Sequence, residues 1–207
     1  MSKYSFEDLC SIMKLNPKLY DNIICYLYNR VVEEDVQNAE RELGVKFPSD
    51  LRKILLTWGR IAGIDEESYL SIVPAKARLK GLSKWKVSAL EHNNIVESTL
   101  ELRKESDLPN KYIVVYYAED WYGCIDTSAP EGAVIEWDYF NKFVEWEVNN
   151  SFIDSIFENY ICSYDLLEDL LEGSFKWPNS LKEKLVPDFE RWQKEFKNKR
   201  LMPREWF

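Results

Sequence analysis

Three apolar runs lie close together in the second half of the chain: "YIVVYYA" at 112–118, "YGCID" at 122–126 and "AVIEWD" at 133–138. They are rich in β-branched and aromatic residues, which suit a pleated, half-buried backbone. The links are Glu119-Asp120-Trp121, which makes a turn, and a longer loop holding Ser128-Ala129-Pro130-Glu131-Gly132. A parallel pair needs a crossover of about a dozen residues or more, so runs this close pair antiparallel, as a meander. The first run is apolar on both faces, as a central strand is. In the third, Val134 and Glu136 point one way and Ile135 and Trp137 the other.

Helical periodicity surrounds this meander. Residues 5–29 read as two short helices. Ser5 with Asp8 fits a capping box, and Phe6, Leu9, Ile12 and Met13 share a face. Pro17 breaks the run, and Leu19, Tyr20, Ile23, Ile24, Leu27 and Tyr28 make a second stripe. The pair is expected to dock on the core. In "EEDVQNAERELGVKFPSDLRKILLTWG", Val36, Ala39, Glu40 and Leu43 mark one helix, which Gly44 ends in the left-handed conformation. Pro48 follows an extended link, Ser49 reads as an N-cap, and Leu51, Ile54, Leu55 and Trp58 form the next stripe up to Gly59. "YLSIVP" reads as a short strand and "AKARLKGLSKWK" as a solvated basic loop. Asn93 or Asn94 caps a helix to about Glu105 with Ile95, Thr99 and Leu102 inward, and a turn follows at 107–110. Ser151 with Asp154 fits another capping box for a helix over 151–161. "YDLLEDLLEG" and a helix from Pro187 close the chain. The class is α+β: a central, mostly antiparallel sheet flanked by helices, with extra N- and C-terminal helices. At 207 residues, a single domain over 1–207 is expected.

Composition narrows the function. No segment reaches the ~20 apolar residues of a membrane span. "MSKYSFEDLC" lacks the apolar stretch of a secretory signal, so a cytoplasmic location and no membrane partner are expected. Cys10, Cys25, Cys124 and Cys162 form no Cys-x-x-Cys pair and His92 is the only histidine, so neither metal nor other cofactor is expected. In such a location the thiols are read as reduced and buried. The net charge of −9 is uneven: residues 116–172 hold 14 Asp/Glu against one basic residue, Lys142. Nucleic acid, which wants a basic patch, is disfavoured, and a basic protein partner is favoured.

The stretch "DWYGCIDTSAPEGAVIEWD" holds every residue type a hydrolase needs. A cysteine mechanism would take Cys124 as nucleophile, His92 as base and Asp126 as orienter. Cys124 sits mid-strand, however, not at a helix N-terminus where a thiolate is stabilised. Glu136 with Asp138 or Asp126 would have to face each other across a sugar for glycoside hydrolysis. Alternation on a half-exposed strand explains both sets without catalysis, so no catalytic residue is assigned.

Taken in order, "VEEDVQNAERELGVKFPSDLRKILLTWG", "NNIVESTLELR", "WYGCIDTSAPEGAVIEWD" and "SFIDSIFENY" resemble the SUKH superfamily. That group includes the fungal Smi/Knr-type cell-wall regulators and many bacterial immunity proteins. The matching positions are Leu43-Gly44, Phe47-Pro48, Trp58-Gly59, Gly123 with Asp126, Val134 through Trp137-Asp138, and Ser151-Phe152. The resemblance spans about 33–162, with 1–32 and 163–207 as helical additions. The chain departs from the pattern at Arg60, where the family often has a second glycine, and in a longer 61–91 stretch. The resemblance implies a SUKH-like α+β fold and a non-enzymatic binding protein that neutralises a cognate, often nuclease, toxin. The residues favour a basic partner met by Glu119, Asp120, Trp121, Tyr122, Glu136, Asp138, Glu145 and Trp146, since Trp and Tyr anchor interfaces and charge selects partners. A regulatory scaffold is the alternative, and the oligomeric state is left open.

Overall fold

The computed structural model describes residues 2–16, 31–58, 95–118 and 121–157, with Pro178, Leu181 and Lys184. The stripe at 19–28, Gly59, "YLSIVP", the basic loop, His92, the Asn93/Asn94 cap, the Glu119-Asp120 link, "YDLLEDLLEG" and the helix from Pro187 lie outside the described residues.

Helix α1 (Phe6–Leu15) starts with the full capping box: Ser5 Oγ accepts from the Asp8 amide, and the Asp8 carboxylate accepts from the Ser5 amide at 3.0 Å. It buries Leu9, Ile12 and Met13. Helix α2 (Glu33–Leu43) buries Val36, Ala39, Glu40 and Leu43 and stops at Gly44, whose φ is 69°. Helix α3 (Ser49–Trp58) buries Leu51, Ile54, Leu55 and Trp58. Its cap is not the expected Ser49. The Arg52 amide donates to the Pro48 carbonyl at 3.1 Å, so Pro48 holds the cap position and Ser49 is the first helical residue. Proline has no N–H to satisfy and fits there without loss.

Helix α4 (Ile95–Glu105) leads into the meander β1 (Tyr112–Ala118), β2 (Trp121–Asp126) and β3 (Ala133–Asp138). A fourth strand, β4 (Phe143–Asn149), extends the three expected. All pairs are antiparallel, in the order β1-β2-β3-β4. Among the described residues, β1 is the outermost strand of this sheet. On its outer side α4 bonds β1 at two points. Thr99 Oγ1 accepts from the Val114 amide at 2.9 Å, and the Arg103 guanidinium donates to the carbonyls of Leu43, Asn110 and Tyr112.

Two glycines let the sheet close on its neighbours. A Cβ on Gly123 would lie 2.0 Å from the Tyr116 ring, which covers this glycine from the paired strand. Gly132 has φ 67°, and a Cβ there would meet Pro48 Cγ at 2.8 Å and Ile125 Cγ2 at 3.0 Å. The β2–β3 loop thus packs against the α2–α3 link.

Helix α5 (Phe152–Ile156) packs on β3, β4 and α3. Of the helix expected over 151–161, the residues after Phe157 lie outside the described set. Ser151 Oγ accepts from the Asp154 amide at 3.1 Å, one half of the expected box. The Asp154 carboxylate instead accepts from the Lys3 amide at 3.1 Å and the Tyr4 amide at 2.9 Å. Tyr4 stacks on Phe157 with ring centroids 4.0 Å apart. The N-terminal segment is thereby clamped to the fold, and Lys184 Nζ reaches the Asp8 carboxylate at 2.8 Å.

Candidate functional site

Strand register decides which side chains share a face, because residues opposite each other in an antiparallel pair point the same way. Trp121 pairs with Asp138 and Gly123 with Glu136, so Trp121, Glu136 and Asp138 lie on one face. Tyr122 pairs with Trp137 and Cys124 with Ile135 on the other. Phe143 pairs with Asp138, and Trp146 with Glu136. Trp121, Tyr122 and Asp138 thus lie at one end of the sheet, beside the β3–β4 turn, with Glu136 next along β3. Glu119 and Asp120 lie outside the described residues. Glu145 and Trp146 are placed in β4 by their backbone alone.

These residues differ in availability. Trp121, Tyr122 and Glu136 are half-buried. Trp137 is core: its indole Nε1 donates to Ser106 Oγ at 2.9 Å, and its ring lies 6.4 Å from that of Tyr112. Asp138 is 7% exposed. Its carboxylate accepts from the amides of Phe140 and Asn141, each at 2.8 Å, and from Asn141 Nδ2 at 2.6 Å. These bonds, Asn141's first, hold the carboxyl below its ordinary pKa. Asp138 shapes the β3–β4 turn.

That turn presents what the strand alternation alone does not. Phe140 is 67% and Phe143 46% exposed. Phe140 sits edge-on to Tyr139 at 5.2 Å, and Tyr139 lies 6.1 Å from Tyr122. The Tyr139 hydroxyl donates to the Glu105 carboxylate at 3.0 Å, which pushes the phenol pKa up. The signal for this site is visible in "DYFNKF", aromatics set around a polar Asn-Lys turn.

Two of the groups considered for catalysis, Cys124 and Asp126, are engaged elsewhere. Cys124 is fully buried; burial pushes its thiol pKa far up, and Sγ donates to the Tyr122 carbonyl at 3.5 Å. Asp126 accepts from Lys111 Nζ at 2.6 Å and from the Ser128 amide and hydroxyl. Burial alone would raise its pKa, but the Lys111 and Ser128 bonds outweigh that and lower it. Among the described residues no group of three or more His, Cys, Asp or Glu is placed to hold a metal ion, and no helix is long and apolar enough to cross a membrane.

A second charged site went unread in the helical pattern. Glu40 stands on the buried stripe of α2 at 2% exposure. It accepts from Arg52 Nη1 at 2.5 Å, Lys46 Nζ at 2.9 Å and the Phe47 amide at 2.9 Å. Arg52 also bonds Glu33. Burial opposes the charged form of Glu40, but these three donors prevail and its pKa is lowered. An open cleft of about 460 Å³ borders this network, lined by Glu33, Glu40, Arg41, Lys46 and Arg52 among others. Its signal was a carboxylate at a core position of an amphipathic helix, which demands a partner.

Residues 14–160 match the SUKH-group family model described as SMI1-KNR4 cell-wall. The match ends close to the expected boundary at 162 and reaches further toward the N-terminus than 33. No curated protein matches the chain.

Proposed function

The chain belongs to the SMI1-KNR4 cell-wall family of the SUKH group, and on that premise we propose that it is a non-enzymatic binding protein, an immunity protein that neutralises a cognate toxin by direct contact. The observation that carries this reading is the charge of residues 116–172, where 14 carboxylates face a single lysine in sequence. Such a field attracts a basic partner and speeds its encounter. Contact needs no nucleophile, and a thiol as deeply buried as Cys124 is a poor one. The proposed contact surface is the sheet end holding Trp121, Tyr122 and Glu136, with Glu119 and Asp120 next to Trp121 in sequence and Glu145 and Trp146 on β4; Asp138 contributes by shaping the β3–β4 turn. The protein acts in the cytoplasm of the cell that makes the toxin.

A regulatory scaffold is the second reading, favoured by the family's own description as cell-wall proteins. Co-expression with the product of the neighbouring gene, tested for toxicity on its own, separates the two. A stable complex on size exclusion, with restored growth, supports immunity. No complex at low salt and no rescue sinks it. Within a complex, Asp120→Lys with Glu136→Lys should weaken binding at low salt, and unchanged binding would remove this face from the interface. Labelling Cys124 at neutral pH tests the enzymatic alternative: rapid labelling of the folded protein would revive it.

A further inference from the structure

We propose that the β3–β4 turn and the outer side of α4 form one docking surface for a basic protein partner, with Phe140 and Phe143 as its anchors. The proposal deepens the contact reading above and rests on it only in taking the chain to work by binding. Among the described residues, the large hydrophobics left exposed are Leu15, Val32, Leu100, Phe140 and Phe143. Both aromatics of that set belong to one hairpin end, Phe140 in the turn and Phe143 opening β4. Phe140 is held in place, because its amide donates to Asp138 and its ring is braced on Tyr139. A side chain ordered before binding loses little entropy on binding, which is what an anchor requires.

The turn is also held at a conformational cost. Lys142 sits in the left-handed region at φ 58°, and its Nζ bonds Asp107, itself at φ 55°, at 2.7 Å. Glycine would occupy either position with less strain. The lysine instead ties the turn to the segment after α4. Tyr139 adds a second tie through Glu105. The aromatic turn and the C-terminal end of α4 are therefore linked at two points.

The chemistry of the partner follows from α4. Glu97, Glu101 and Glu105 are exposed and spaced four apart, so they line one side of the helix, with exposed Leu100 beside them. Lys104 is the cation on that side, and Lys142 is neutralised by Asp107. Two copies docking through this surface would bring like charges together, whereas a Lys/Arg-rimmed apolar pocket complements it.

Photo-crosslinking from benzoylphenylalanine at position 140, with position 15 as control, tests this in the cells that make the protein. The cross-linked peptide is identified by mass spectrometry, and its parent protein is purified and titrated with the full chain. A cross-link from 140 and not 15, to a segment rich in Lys and Arg, is expected. Phe140→Ala with Phe143→Ala should then weaken binding about 100-fold. Glu97→Lys with Glu101→Lys should slow association about 10-fold at low salt, an effect that shrinks as salt rises. No cross-link from 140, a cross-link to a second copy or to an acidic segment, or a double alanine variant within two-fold of the parent overturns the proposal. If the purified partner is not a toxin, this surface stands and the immunity reading falls. If a toxin binds but both phenylalanines are dispensable, the reverse holds.

Discussion

The α2–α3 hairpin and the far end of the sheet handle their difficult residues in opposite ways. In the hairpin a carboxylate is buried, and three donors converge on Glu40. At the sheet end two phenylalanines are left exposed while the nearby Asp138 bonds the Phe140 and Asn141 amides. The first arrangement serves the fold, since a buried charge is tolerable only when fully paired. The second does less for the fold, since a largely exposed ring such as that of Phe140 gains little burial energy. A residue's chemical type thus says less about its role than the company it keeps.

Substitutions can break this contrast. Glu40→Ala leaves Arg52 facing a void and frees the Phe47 amide. Because the Arg52 side chain is 26% exposed and can rehydrate, the loss should be about 2–3 kcal/mol, below that of a fully buried pair. Urea unfolding measures it, and partner binding at subsaturating denaturant should not change. Gly132→Ala combines a left-handed backbone with contact on Pro48 and Ile125, and should cost about 2 kcal/mol. Lys142→Gly relieves backbone strain but cuts the tie to Asp107. Thermal unfolding should rise or hold within about 1 kcal/mol, while partner affinity falls. Phe140→Ala with Phe143→Ala should leave stability within about 0.5 kcal/mol, which separates a binding role from a structural one.

Acid sharpens the same distinction. Glu40, Asp126 and Asp138 have lowered folded-state pKa values. Each contributes stability that is complete above the ordinary carboxylate range and lost as pH falls through the lowered value. Glu40→Gln should therefore flatten the acid limb of the stability curve, and an unchanged limb would mean that Glu40 is not held ionised by Arg52 and Lys46.

Much of the fold was legible locally. The Ser5–Asp8 box, the stop at Gly44, the stripes of α2, α3 and α4 and the first three strands all lie where periodicity and capping place them. The fourth strand was legible as well, since Phe143, Glu145 and Glu147 alternate with Val144, Trp146 and Val148, but its carboxylates weigh against an apolar reading. The candidate site was half legible. Trp121, Glu136 and Asp138 do share a face. That Asp138 serves a turn, and that Phe140 and Phe143 stand exposed, depends on where the hairpin ends relative to α4.

By itself the sequence determined element types, their ends, the antiparallel sense of the meander, the acidic bias and the family pattern, because caps, turns and periodicity act over a few neighbouring residues. Tertiary structure alone decided which carboxylates are available. Asp154 meets the Tyr4 amide across 150 positions, Ser106 meets the Trp137 indole across 31, and Thr99 of α4 meets the Val114 amide of β1 across 15. A buried polar group takes whatever partner the packed chain brings to it, and no short-range rule encodes that choice.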